Sequence, residues 1–136
     1  MSGQILISVI IPFYNAEKHL EKCVQNILSQ TFKKNFEVIM IDDASLDNSY
    51  KIAQKFVNEK FLLFKLNSNS GPSAARNIGL KNARGDYIYF LDVDDRIENN
   101  TLEILYNSSN QNYYDLIFSD KKWIENFKNL RENIFD

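Results

Sequence analysis

Cysteine and histidine occur once each in this 136-residue sequence, and long apolar runs are missing. Cys23 is the only cysteine, so no intrachain disulfide can form and a reducing compartment is the simpler reading. His19 is the only histidine. Its neighbours follow a helix-exposed pattern, which makes it a surface residue and not a base or metal ligand. No apolar stretch approaches the ~20 residues that a membrane-spanning helix needs. The N-terminus has no basic segment followed by a long apolar one, so no secretory signal is expected. The net charge of −2 argues against a nucleic-acid surface. Glycine-rich phosphate motifs are missing too. There is no G-x-G-x-x-G after the first strand and no G-x-x-x-x-G-K-[ST] anywhere, so the ordinary dinucleotide and P-loop readings fail. With 44% apolar and 25% charged residues, the chain is globular and long enough for one sizeable core.

What is present alternates between two periods. Ile5 to Ile11 is rich in β-branched residues and stops at Pro12, which cannot donate to a ladder; it is expected as a buried strand. Pro12-Phe13-Tyr14-Asn15 is then a loop, with Asn15 placed to cap the next helix. Leu20, Val24, Ile27 and Leu28 form that helix's apolar face, with Cys23 beside it as a small core residue. A second strand, Phe36 to Ile41, runs into Asp42-Asp43-Ala44-Ser45. A helix follows from about Asp47 to Asn58, and a third strand covers Phe61 to Leu66. Gly71-Pro72 opens a third helix with a slim face of Ala74, Ala75, Ile78 and Gly79, and Gly85 marks its far end. A fourth strand, Tyr87 to Leu91, reads as central and covered on both faces. Asn99 or Asn100 caps a fourth helix, and Tyr113 to Phe118 is a fifth strand. Trp123, Phe127, Leu130 and Ile134 then mark an amphipathic helix.

This order predicts an α/β fold: a mostly parallel, Rossmann-like sheet with helices on both faces. Ligands of such sheets bind outside the C-terminal strand ends. That rule selects the loops after strands one, two and four. The last is the most pointed, because Asp92, Asp94 and Asp95 crowd three carboxylates into four residues. A hard divalent cation, Mg²⁺ or Mn²⁺, would relieve their repulsion. Taken alone, the cluster is better explained by a solvated acidic loop, or by acidic side chains at a helix start. Asp42 is read evenly as a loop-bonding carboxylate or a ligand contact, and Asp47 as a helix-start residue.

Four segments in order resemble the inverting glycosyltransferases of family 2, which have the GT-A fold. They are Val9-Ile10-Ile11-Pro12-Phe13-Tyr14-Asn15, Val38 to Asp47, Asn69 to Gly79, and Gly85 to Asp95. Each is weak alone; together they cover most of residues 5–120. The resemblance implies that Pro12 and Tyr14 line the base pocket of a nucleotide-sugar, most often a UDP-sugar. It implies that Asp43 accepts a hydrogen bond from uracil, and that Arg76 holds the base or phosphate side. Asn15, Ser45 and Val93 belong to the same motifs and are carried over as nucleotide-sugar contacts. Asp92-Val93-Asp94 resembles the D-x-D motif, with Asp94 or Asp95 on the metal and Asp92 towards the ribose or sugar.

The resemblance further implies a GT-A nucleotide-sugar-binding part over residues 1–120. Residues 121–136 are then an amphipathic segment that begins an acceptor-binding part and offers an oligomer contact. The family's general base lies well downstream of D-x-D; Asp120 is the substitute candidate. The expected reaction is transfer to an acceptor hydroxyl with inversion, in surface polysaccharide or lipopolysaccharide synthesis. The acceptor is a glycan or a lipid-linked one, and the expected place is the cytoplasm, at the inner face of the membrane. Lys33-Lys34 and Lys121-Lys122 are read as solvated, with acidic lipid headgroups as their other partner. The alternative is a non-catalytic nucleotide-sugar-binding or interaction module. A nucleotidyltransferase on a related sheet is disfavoured by the missing Gly-rich basic loop.

Overall fold

A computed structural model of the chain describes residues 3–112, with side chains through residue 109. These residues fall into two units. The first comprises residues 3–29 and 33–97, and the second residues 30–32 and 98–112.

The first unit is a four-stranded parallel sheet in the order β3-β2-β1-β4. Its elements are β1 (Ile7–Phe13), α1 (Leu20–Leu28), β2 (Phe36–Asp42), α2 (Ser49–Gln54), β3 (Phe61–Lys65), α3 (Pro72–Asn82) and β4 (Tyr87–Phe90). β1 and β2 are buried at every position, as consecutive apolar residues in a parallel sheet require. The chain steps one way from β1 to β2 to β3, and then α3 carries it back across the sheet to β4. Right-handed crossovers therefore place α1 and α2 on one face, where they pack together, and α3 on the other. Gly79 lets α3 approach closely: a Cβ there would lie 2.5 Å from Ile10 Cγ2.

Several expectations change at the element ends. β1 continues through Pro12 to Phe13. Ile10 O accepts Leu91 N–H towards β4, and Phe13 O accepts Asp43 N–H towards β2. By alternation Pro12 faces the β4 side, where β4 has already ended, so its missing N–H costs no ladder bond. Leu28 is 53% exposed, and Cys23 takes its place in the buried face of α1. α2 is half the expected length. β4 is an edge strand among the described residues, not a central one; Ile88 and Phe90 are exposed on it. Gly85 is no helix cap, since α3 ends at Asn82 with Ala83 extended. It lies instead against β1, where a Cβ would come within 2.5 Å of Ser8 N.

Beneath that contact lies a buried charged side chain of the sheet, Glu37. Glu37 has no exposed surface and stands opposite Ser8 in the β1–β2 register. Its Oε1 accepts the Ser8 hydroxyl at 2.7 Å and Arg84 N–H at 2.7 Å. Its Oε2 accepts Arg84 Nε at 2.8 Å and Nη2 at 2.7 Å. The Ser8 hydroxyl in turn accepts Gly85 N–H at 2.8 Å.

The second unit is built on α4 (Thr101–Asn112), which starts directly after Asn100. Gln30 donates to Glu98 O at 2.8 Å and accepts Leu102 N–H at 3.2 Å, while Phe32 packs on Tyr106. The fifth strand, the amphipathic segment 121–136, Lys121, Lys122 and Asp120 lie outside the described residues. Among the described residues no helix is long and apolar enough to cross a membrane.

Candidate functional site

The strand order reverses direction at β1, so the switch point lies between the C-terminal ends of β1 and β4. That is where an open parallel sheet leaves a crevice. A cavity of about 140 Å³ opens there. Pro12, Phe13 and Tyr14 supply its β1 wall, and Pro72 and Ala75 of α3 its apolar roof. Asp43, Asp92, Val93 and Asp94 bring the carboxylates. The volume suits one flat ring, since an apolar cavity of about 150 Å³ takes a benzene.

Asp43 is buried, and its two oxygens accept Ser70 N–H at 2.7 Å and Gly71 N–H at 2.9 Å. The carboxylate thus ties the end of β2 to the start of α3. Each oxygen keeps a second lone pair. Gly71 has φ 91, a conformation that favours glycine, and Pro72 follows at the first helical turn.

The loops after β1 and β2 are stitched to each other. Asn15 does not cap α1, whose N-cap position is His19. Its φ of 47 turns the side chain to the other loop, where Oδ1 accepts Leu46 N–H at 2.8 Å. Asn15 N–H donates to Ser45 Oγ at 2.9 Å, and Ala16 N–H to Ser49 Oγ at 2.7 Å. Glu17 N–H donates to Asp47 at 3.2 Å, and Asn48 N–H to Glu17 at 3.0 Å. Asp47 also accepts Ser49 N–H at the start of α2. Burial pushes the Asp47 carboxyl up, but the bonds from Ser49 and Glu17 outweigh it and hold it below the usual aspartate value. Asp42 is wholly buried and accepts Ser45 N–H at 3.0 Å, the loop-bonding role.

Ala44, between these carboxylates and Ser45, has φ 60. A left-handed conformation costs an L-residue roughly 1–2 kcal/mol. Ala44→Gly is expected to stabilise the chain by about 0.5–1 kcal/mol, after the greater freedom of glycine in the unfolded chain is subtracted. The urea midpoint should rise at constant m-value; a lower midpoint would show that the methyl group contributes packing instead.

The acidic turn after β4 closes through Asp95 N–H to Asp92 O at 3.0 Å, with Val93 and Asp94 at its centre. Arg76 of α3 reaches across and pairs with Asp92 Oδ1 at 2.8 Å. Both partners are partly exposed, so the pair orients the turn more than it stabilises the fold. Asp94 faces the cavity; Asp95 is exposed and lies outside its lining. The thiol of Cys23 on α1 is pushed up to about 12, first by burial and then by the charges of Asp95 and Asp94. It is therefore an inert core group.

Of the residues proposed from sequence, Pro12, Tyr14, Asp43, Asp92, Val93 and Asp94 line one cavity. Arg76 joins them through Asp92. Asn15 and Ser45 hydrogen-bond each other outside the lining. Sequence reasoning missed Phe13, Pro72 and Ala75 as walls, although all three sit inside the motifs already singled out. Among the described residues no group of three His, Cys, Asp or Glu side chains is placed to hold a metal ion. The chain offers one or two carboxylates and not a closed cage. That donor set fits Mg²⁺ or Mn²⁺, which take water and substrate phosphate oxygens as further ligands.

A doubly covered parallel sheet with this crevice is the nucleotide-sugar-binding layout of GT-A glycosyltransferases. The sequence profile of Glycosyl transferase family 2 matches residues 8–132, and the chain belongs to that family. An uncharacterized glycosyltransferase of Haemophilus influenzae is 46% identical over 110 residues, which are 79% of this chain and 44% of the relative. Minor teichoic acid biosynthesis protein GgaA of Bacillus subtilis is 44% identical over 108 residues, 74% of this chain and 24% of GgaA. The crystal structure of S. aureus TarS 1-349 in complex with UDP superposes with TM-score 0.77 at 35% identity. It covers 82% of this chain and 34% of TarS 1-349. The mannosyltransferase PcManGT from Pyrobaculum calidifontis, in complex with GDP-Man and Mn²⁺, gives 0.65 at 25% identity over 74% of this chain and 31% of its own. The chain spans less than half the length of these relatives.

Proposed function

We propose that this chain is the donor-binding part of a metal-dependent, inverting glycosyltransferase that uses a UDP-sugar. The observation that carries the reading is the single cavity in which Tyr14, Asp43, Asp92 and Asp94 meet at the switch point of the sheet. Uracil enters between Pro12 and Tyr14 on one side and Pro72 on the other. Asp43 accepts its N–H with the lone pairs that the Ser70 and Gly71 amides leave. The diphosphate extends towards the acidic turn, where Asp94 and Asp95 are the metal ligands and Asp92, oriented by Arg76, faces the ribose or sugar. A divalent ion held there supplies Lewis-acid stabilisation of the diphosphate leaving group. The residues of this chain fix the base and the leaving-group end, which exposes the opposite face of the sugar to the acceptor hydroxyl.

Residues 1–120 make up this part, and residues 121–136 begin the acceptor-binding part. The acceptor is a glycan or lipid-linked sugar at the inner face of the membrane. The likeness to GgaA and to TarS with UDP bound supports a surface-glycan role and the choice of UDP. Every carboxylate that lines the cavity is assigned to the donor, which keeps a second reading alive: a UDP-sugar-binding module without turnover. Release of free sugar or transfer from a UDP-sugar decides between them. Titration calorimetry with UDP is expected to show tighter binding in Mn²⁺ than in EDTA. Absence of UDP binding in both conditions would overturn the proposal.

A further inference from the structure

The acidic turn is anchored at both ends. Its entry is pinned by Leu91 N–H to Ile10 O at 3.0 Å. Its exit is pinned by one side chain from α1: Asn26 Nδ2 donates to Ile97 O at 2.9 Å, and Asn26 Oδ1 accepts Ile97 N–H at 2.9 Å. Both polar groups of one carboxamide thus engage both polar groups of one peptide residue, as a neighbouring strand would. Residues 96–98 belong to no helix or strand, so the clamp replaces a ladder at this point. Ile97 lies two residues beyond Asp95 and three beyond Asp94. With the entry fixed to β1 and the exit fixed to α1, the turn has little freedom to widen.

We propose that Asn26 is a positioning residue for the donor site. It touches neither base nor diphosphate, but it sets where the carboxylates of Asp94 and Asp95 stand and thereby the metal-dependent affinity for the donor. The proposal rests on the reading of that turn as the metal-diphosphate site. Residues that orient ligands in this indirect way typically change metal affinity by about 10–100-fold when replaced. A residue that only stabilised the fold would weaken base binding and diphosphate binding together.

The test compares two probes on the full chain. Uridine, followed by NMR shift changes, reads the base pocket alone; UDP with Mn²⁺, followed by calorimetry, reads the pocket plus the turn. Asn26→Ala is expected to weaken UDP binding in Mn²⁺ by about tenfold and to leave uridine affinity within about twofold. Asn26→Asp keeps the size of the side chain and the bond from Ile97 N–H, but sets a carboxylate oxygen against Ile97 O. It should show the same split and decides the matter if the alanine variant does not fold. Equal UDP affinity in variant and wild type, or parallel loss of uridine and UDP affinity, overturns the role of Asn26. Wild-type protein that binds uridine but gains nothing from Mn²⁺ overturns the metal-site reading, and this proposal with it.

Discussion

Asp94→Ala is expected to lower Mn²⁺-dependent UDP affinity by about 100-fold or more, while the melting temperature stays within a few degrees of wild type. The size follows from the small number of ligands. In the proposed site one or two carboxylates hold the metal, so loss of one would remove half or all of the protein's share, a larger change than the 10–100-fold typical of indirect partners. The folding side follows from position. Asp94 sits exposed at the centre of a turn whose closing bond, Asp95 N–H to Asp92 O, is made by backbone atoms. Surface substitutions of this kind usually stay within about 0.5 kcal/mol. Calorimetry with UDP in Mn²⁺ and in EDTA, together with a thermal melt, checks both parts. An unchanged Mn²⁺ enhancement in Asp94→Ala would remove this residue from the metal site and leave Asp95 to be tested alone.

The largest effect on stability is expected far from the cavity, at Arg84→Ala. Glu37 is a fully buried carboxylate whose Oε2 depends on the two guanidinium bonds. Removing one partner of a buried pair costs about 3–5 kcal/mol because the other charge stays behind. The lower end applies here, since the Arg84 side chain is 56% exposed and partly screened by water. A loss of about 3 kcal/mol should lower the melting temperature by more than about 10 °C. The converse separates pairing from packing. Glu37→Met combined with Arg84→Met should be less destabilised than Arg84→Ala, because no unpaired charge remains. Urea unfolding of the three proteins measures this; equal losses in the single and double variants would show that the ion pair is not the source.

The parts of this fold legible in the sequence are those governed by local pattern. ILISVII and FEVIMI read as buried parallel strands because consecutive apolar residues fit a strand covered on both faces. The carboxylates after β2 and β4 stood out because strand C-terminal ends carry ligands in such sheets. What was misread or unseen depends on distant partners. Pro12 stops a strand only if its missing N–H was needed, and that depends on where β4 ends, about 80 residues later. Asn15 looks like a cap until Leu46 offers its amide. Glu37 gives no local sign of being an inside charge, since Arg84 lies 47 residues away. Asn26 is one polar residue on a helix until Ile97 arrives 71 residues later. Asp43 was legible as a cavity group, but not as the tether of α3.

The stitched loops that follow the cavity residues Tyr14 and Asp43 have a thermodynamic consequence. Asn15, Ala16, Glu17, Leu46 and Asn48 each commit a backbone amide to the opposite loop. Fixing a backbone residue costs roughly 1–2 kcal/mol of conformational entropy, and here that cost falls on folding. A base bound as proposed, between Pro12 and Tyr14, would meet a wall whose flanking loops are already fixed, so these two loops add little ordering penalty to its binding.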